Sequence, residues 1–143
     1  MYSFSSEEGV QKIVDMYSLA LRQGDEIEKG VIQSLEWCMN ESIDNVLQHS
    51  GSPKGFVMAQ LHKQNNKFSF CVFDAGVGIF NSLRDSKHAP RNPLSAIQMA
   101  LKERVTRDES IGQGNGLWGL AQIIRETKGR LFVSSGGACY RYD

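Results

Sequence analysis

The stretch Asn40-Glu-Ser-Ile-Asp-Asn-Val-Leu-Gln-His49 decides the fold of this 143-residue chain, because a polar and an apolar stripe repeat in it with helical spacing. Glu41, Asn45 and His49 recur at every fourth residue. A helix turns about 100° per residue, so side chains at this spacing line one edge of it. A carboxylate, an amide and an imidazole there could bind a ligand, or they could form the solvated face of an amphipathic helix.

Composition excludes several classes of protein. Sixteen basic and sixteen acidic residues cancel, so no net charge favours nucleic acid or an anionic membrane. No apolar run is long enough to span a bilayer, and the first residues lack the pattern of a signal peptide. Cys38, Cys71 and Cys139 form no C-x-x-C pair and are predicted to be buried thiols in a reducing compartment. We expect one cytoplasmic globular domain over residues 1–143, without nucleic acid or membrane contact.

Helical and strand periods divide the chain into elements. Helices are predicted from Ser5, from Asp25 to His49, after a cap at Asn92, and over about 116–127. Strands are predicted over 55–62, 67–73, 131–134 and 139–142, the first two joined by a turn and the last two by Gly136-Gly137. The pattern predicts an α+β two-layer sandwich, in which helices cover one face of a mixed, mostly antiparallel sheet.

Asp74 ends the second predicted strand and is followed by Gly76 and Gly78. We expect a buried carboxylate here, suited to accept a hydrogen bond from an exocyclic amine such as that of adenine. Glycines beside it tolerate positive φ and let the backbone approach a flat ring. An ordinary turn at the end of a strand would show the same residues.

A second glycine-rich segment, Gly112-Gln-Gly114-Asn-Gly116-Leu-Trp-Gly119, precedes the last predicted helix. It contains G-x-G-x-x-G, but the dinucleotide-binding interpretation fails because charged residues, not a strand, precede it. The remaining interpretation is a glycine-rich loop that offers backbone N–H groups and a helix N-terminus to an anion.

Together, these three motifs resemble the N, G1 and G2 boxes of the GHKL ATPase superfamily, which has the Bergerat fold. In order along the chain, the motifs read N-E-x-x-x-N-x-x-x-H, D-x-G-x-G and G-x-G-x-G-L-x-G-L. The resemblance covers nearly the whole chain. It implies that Glu41 is the catalytic base, that Asn45 binds Mg²⁺, and that Asp74 recognises the adenine of ATP. It also implies an ATP lid over about 80–111 and places the following residues at the cofactor: Asn45, His49, Asp74, Gly76, Gly78, Ile79, Gly112, Gly114, Asn115, Gly116 and Leu117.

Within the superfamily the chain looks most like the catalytic domains of sensor histidine kinases and like anti-sigma-factor serine kinases. The resemblance therefore implies a signalling protein that transfers a phosphoryl group from ATP to a protein phosphoacceptor. His62, in a strand, and His88, in the lid, do not form the phosphoacceptor hairpin of a histidine kinase. The alternative is a nucleotide-gated interaction module with little turnover. The apolar surface of the first helix is large enough to pack on its own sheet or on a second copy of the chain. The end at Asp143 within a predicted strand suggests one module of a longer protein.

Overall fold

The computed structural model describes residues 1–22, 29–65, 67–102, 105 and 116–143. They form an α+β protein with five α-helices and antiparallel sheets, as the sequence predicts in outline. The chain divides into two compact units, which we describe separately: unit 1 comprises residues 1–47 and 52–74, and unit 2 comprises residues 48–51 and 75–143.

Unit 1 packs two long helices on a three-stranded sheet. Its elements are β1 (Tyr2–Phe4), α1 (Glu7–Arg22), α2 (Lys29–His49, of which the last two residues belong to unit 2), β2 (Gly55–His62), a 3₁₀ turn (Lys63–Asn65) and β3 (Lys67–Asp74). The strand order is β1-β2-β3, and both pairs are antiparallel. The core consists of apolar residues that recur at helical spacing and the inward residues of the strands: Phe4, Val10, Ile13, Val14, Met39, Ile43, Val46 and Val57.

Unit 2 builds a smaller core from three helices and a hairpin. Its elements are α3 (Gly78–Arg84), α4 (Pro93–Ala100), α5 (Gly116–Glu126), β4 (Leu131–Ser135) and β5 (Ala138–Tyr142). Gly136 and Gly137 both have positive φ, at 59° and 79°, which is the requirement of the tight turn that connects β4 to β5. Ile97, Leu101 and Ala121 form the centre of this core.

The cap of α4 confirms a prediction made from sequence. The side chain of Asn92 accepts a hydrogen bond from the backbone N–H of Ser95 at 2.8 Å, and Ser95 Oγ accepts one from the N–H of Asn92 at 3.0 Å. Pro93 occupies the first turn, where its missing N–H removes no helical bond. This reciprocal capping box fixes where α4 begins.

Several expectations need correction. The first helix starts at Glu7, and its cap is Ser6 instead of Ser5, since Ser6 Oγ accepts the N–H of Gly9 at 3.3 Å. The described strands form two sheets where a single one was predicted, and the short β1 was missed. Cys38 is buried as predicted, whereas Cys71 and Cys139 are exposed because they lie on the outward positions of β3 and β5.

The predicted lid over about 80–111 contains more regular structure than expected. The helix α3 begins before the predicted lid and continues into it, and α4 contributes the fully buried Ile97 to the core of unit 2. Residues 103–104 and 106–111 of the predicted lid lie outside the described residues. None of the helices in the described part of the chain has the length and apolar character needed to cross a membrane.

Candidate functional site

The α2 helix carries Glu41, Asn45 and His49 along one edge, as their spacing predicts. All three side chains are half-buried, not fully solvated. The neighbouring face of the helix is apolar and packs in the core, where Met39 and Ile43 are 1% and 0% exposed. The stripe therefore lies at the border between the packed face of α2 and its exposed face.

The environment of Glu41 suits a base. Burial raises the pKa of the Glu41 carboxyl, and the negative charge of nearby Asp44 raises it further. A carboxylate whose pKa moves up towards neutrality becomes a better proton acceptor at physiological pH.

The side chain of Asn45 is held against the helix, because its Nδ2 donates a hydrogen bond to the backbone carbonyl of Glu41 at 2.7 Å. The amide oxygen is then the atom that Asn45 presents to a ligand, and Mg²⁺ prefers oxygen ligands.

Asp74 lies at the end of β3, directly opposite Gly55 on β2. It shares the helix-facing side of the sheet with Val72, but it is exposed, not buried as predicted, because the strand ends there. Gly55 lies close beneath α2: a Cβ added to it would be 2.8 Å from Cγ1 of Val46. The tertiary structure of unit 1 therefore brings the helical turn that carries Asn45 over the end of the sheet where Asp74 stands.

The glycines after Asp74 form a turn that leads into α3. Gly76 is exposed, and Gly78 has φ of +75°, a conformation that favours glycine. Within unit 2 the turn is tied to the residue that follows α2, since the N–H of Val77 donates to the carbonyl oxygen of Ser50 at 2.8 Å. The backbone at Gly78 therefore has a conformation that a residue with a side chain would rarely adopt.

Two predicted cofactor residues pack on the core of unit 2. Ile79, just after the turn, and Leu117, in the first turn of α5, are both half-buried against the cluster of Ile97, Leu101 and Ala121. Because both side chains are engaged in packing, their contribution to a ligand would come from the backbone. The same cluster thereby connects the turn at Gly78 with the start of α5.

The remaining residues predicted at the cofactor lie partly inside and partly outside the described residues. Gly116 is the first residue of α5, whereas Gly112, Gly114 and Asn115 lie outside the described residues. Arg84, at the end of α3 in the predicted lid, forms an ion pair with Asp85 at 3.2 Å. Among the described residues, no group of three or more His, Cys, Asp or Glu side chains is arranged to hold a metal ion.

Sequence reasoning missed Ser135, whose Oγ accepts a hydrogen bond from the backbone N–H of Ile79 at 2.9 Å. The residues lie 56 positions apart, so only the tertiary structure pairs them. A weak signal existed: Leu131, Val133 and Ser135 alternate along β4 and therefore share its inner face. A serine in an otherwise apolar row can indicate a backbone partner.

Comparison of the chain with protein-family models, with curated proteins and with solved structures finds no match.

Proposed function

We propose that this chain is a Mg·ATP-binding, kinase-type domain of a signalling protein, and that it transfers the γ-phosphoryl group to a protein partner. The observation that carries the proposal is the convergence in unit 1. The α2 turn bearing Asn45 lies over the strand end that bears Asp74, and Glu41, one turn earlier, has a raised pKa. The pattern of sequence motifs that resembles the GHKL superfamily and its Bergerat fold supports the same conclusion.

Asp74 would select the base. Its carboxylate oxygens are hydrogen-bond acceptors, and the exocyclic amine of adenine is a donor, whereas guanine carries a carbonyl oxygen at the matching position. Gly76 and Gly78 present backbone without side chains just after this carboxylate. A flat ring could approach that backbone closely, which larger residues would prevent.

Asn45 and Glu41 would serve the phosphate end. Asn45 would hold Mg²⁺ through its amide oxygen, and the bound ion would supply positive charge that neutralises the phosphates. Glu41 would orient the acceptor group of the partner and take its proton. The motif resemblance also assigns phosphate binding to the segment around Gly116, the first residue of the 11-residue helix α5, and a helix N-terminus favours anions.

A second candidate is a nucleotide-gated interaction module with little turnover. One observation favours it: Ala121 of α5 packs with the fully buried Ile97 of α4. A ligand at the start of α5 could therefore change the position of a helix in the predicted lid. This candidate predicts that ATP protects the lid from proteolysis, while phosphate transfer stays negligible even with a partner present.

Thermal unfolding with Mg²⁺ and ATP, ADP or GTP tests nucleotide binding. Ligand at 100 times Kd adds about 2.7 kcal/mol, which corresponds to roughly 8 °C for a chain of this length. We expect this shift for ATP and ADP, little shift for GTP, and loss of the shift in Asp74→Asn. Asp15→Asn, an exposed aspartate on α1, is the matched control and should behave as wild type. No shift with any nucleotide would refute the proposal.

Labelled ATP then separates the two candidates. The kinase proposal predicts transfer of the γ-phosphate to a protein and its loss in Glu41→Gln, with nucleotide binding retained. Binding without transfer to any candidate partner, accompanied by lid protection, would support the interaction module instead. Release of phosphate only to water would contradict transfer to a protein.

A further inference from the structure

The turn that leads into α3 is held from two sides within unit 2. On one side the N–H of Val77 donates to the carbonyl oxygen of Ser50 at 2.8 Å. On the other side the N–H of Ile79 donates to Oγ of Ser135 at 2.9 Å. Gly78 lies between these two bonds and has φ of +75°.

Ser135 acts as a helix cap supplied by a distant strand. Val77, at the N-cap position of α3, makes no side-chain capping bond, and Ile79 is the second residue of that helix. The N–H at this position is one of those that a capping oxygen normally satisfies. Here the oxygen comes from the last residue of β4, and the cap therefore depends on the hairpin of unit 2.

The fit between Ser135 and the turn is close. A Cβ added to Gly78 would lie 2.9 Å from Oγ of Ser135, which is too near for a side chain. The serine hydroxyl thus fills the space that the missing side chain leaves and fixes the backbone at the same time. Loss of the hydroxyl would leave an N–H without its partner and would free the turn to change conformation.

We infer that Ser135 is a positioning residue of the nucleotide site, whose hydroxyl holds the Gly78–Ile79 backbone in the conformation that receives the base. This inference rests on the proposed function and deepens it. Because the proposed function assigns the glycine turn to the base, Ser135 controls affinity at the adenine end of the ligand and not at the phosphate end. Its effect is therefore the same for adenosine as for ATP.

The neighbouring serine provides a matched control. Ser134 precedes Ser135 in β4, but its side chain is exposed on the opposite face, where Oγ accepts a weak hydrogen bond from Sγ of Cys139 at 3.5 Å. Ser134→Ala removes the same atom from the same strand without touching the turn. Ser135→Thr retains a hydroxyl and tests whether that group, and not the residue as such, is required.

The test is titration of adenosine, ADP and Mg·ATP into wild type and the three serine variants, well below their unfolding temperatures. We expect Ser135→Ala to weaken all three ligands by a common factor of about ten, which corresponds to about 1.4 kcal/mol for one hydrogen bond. Ser134→Ala and Ser135→Thr should stay within about twofold of wild type.

Four results would contradict the inference while leaving the proposed function intact. They are wild-type affinity in Ser135→Ala, equal loss in Ser134→Ala, loss in Ser135→Thr as large as in Ser135→Ala, or loss for ATP but not for adenosine. A purely structural role would lower the unfolding temperature of Ser135→Ala without changing the affinity of the folded fraction, which also overturns it. Absence of binding to the wild type would instead reject the proposed function, and the inference with it.

Discussion

The packing around Gly55 gives the sharpest prediction about stability. This glycine is buried at the start of β2, and a Cβ added there would lie 2.7 Å from Cε2 of Phe4 and 2.8 Å from Cγ1 of Val46. Carbon atoms in contact normally stand about 3.5–4.0 Å apart. Gly55→Ala therefore forces the buried side chains of Phe4 and Val46, or the elements that carry them, to move by about 0.7 Å or more.

The expected cost follows from two opposing terms. Overpacking of a well-packed core costs about 1–3 kcal/mol, and two displaced neighbours place this site in the upper half of that range. Replacing glycine also removes freedom from the unfolded chain, which stabilises by about 0.4–1 kcal/mol. The net loss is about 2 kcal/mol, because the steric term exceeds the entropic one. For a chain of this length, this lowers the unfolding temperature by roughly 6–8 °C.

Gly30→Ala is the control for this experiment. Gly30 lies in the first described turn of α2 with nothing within 4 Å of an added Cβ, so the same substitution should stabilise by about 0.4–1 kcal/mol by reducing the freedom of the unfolded chain. Both variants are compared with wild type by thermal and urea unfolding. A Gly55→Ala protein at least as stable as wild type would refute the packing described here, whatever Gly30→Ala does.

Three other predictions concern ionisation, thiol access and capping. Glu41→Gln should be more stable than wild type at neutral pH, because burial raises the pKa of the carboxyl and so penalises its charged form. The difference should vanish below about pH 4.5, where the group is protonated in both the folded and the unfolded state, and a pH series of unfolding temperatures checks this. Cys71 and Cys139 are exposed and should react quickly with a thiol reagent, whereas Cys38, whose pKa burial raises to about 11, should react only after denaturation. Asn92→Ala removes the capping box of α4 and should cost about 1 kcal/mol of unfolding free energy in a denaturant titration.

Local patterns predicted most of the regular elements. The bounds of β2 agree with the prediction, and α4 and α5 start where the cap at Asn92 and the glycines before Leu117 indicated. These signals are local: a cap, a period or a turn needs only residues within about one helical turn of each other. The helix α3 was missed, and the N–H of its second residue, Ile79, donates to Ser135 on another strand, a contact that no local pattern contains.

The candidate site also depends partly on local sequence patterns and partly on contacts between distant residues. The sequence by itself determined which side chains share the edge of α2 and that glycines follow Asp74. Only the tertiary structure decided that the Asn45 turn lies over the end of β3, that Asp74 is exposed, and that Ser135 holds the turn at Gly78. Periodicity sets the direction of a side chain relative to its own element, whereas proximity between elements depends on how the cores pack, which no local pattern contains.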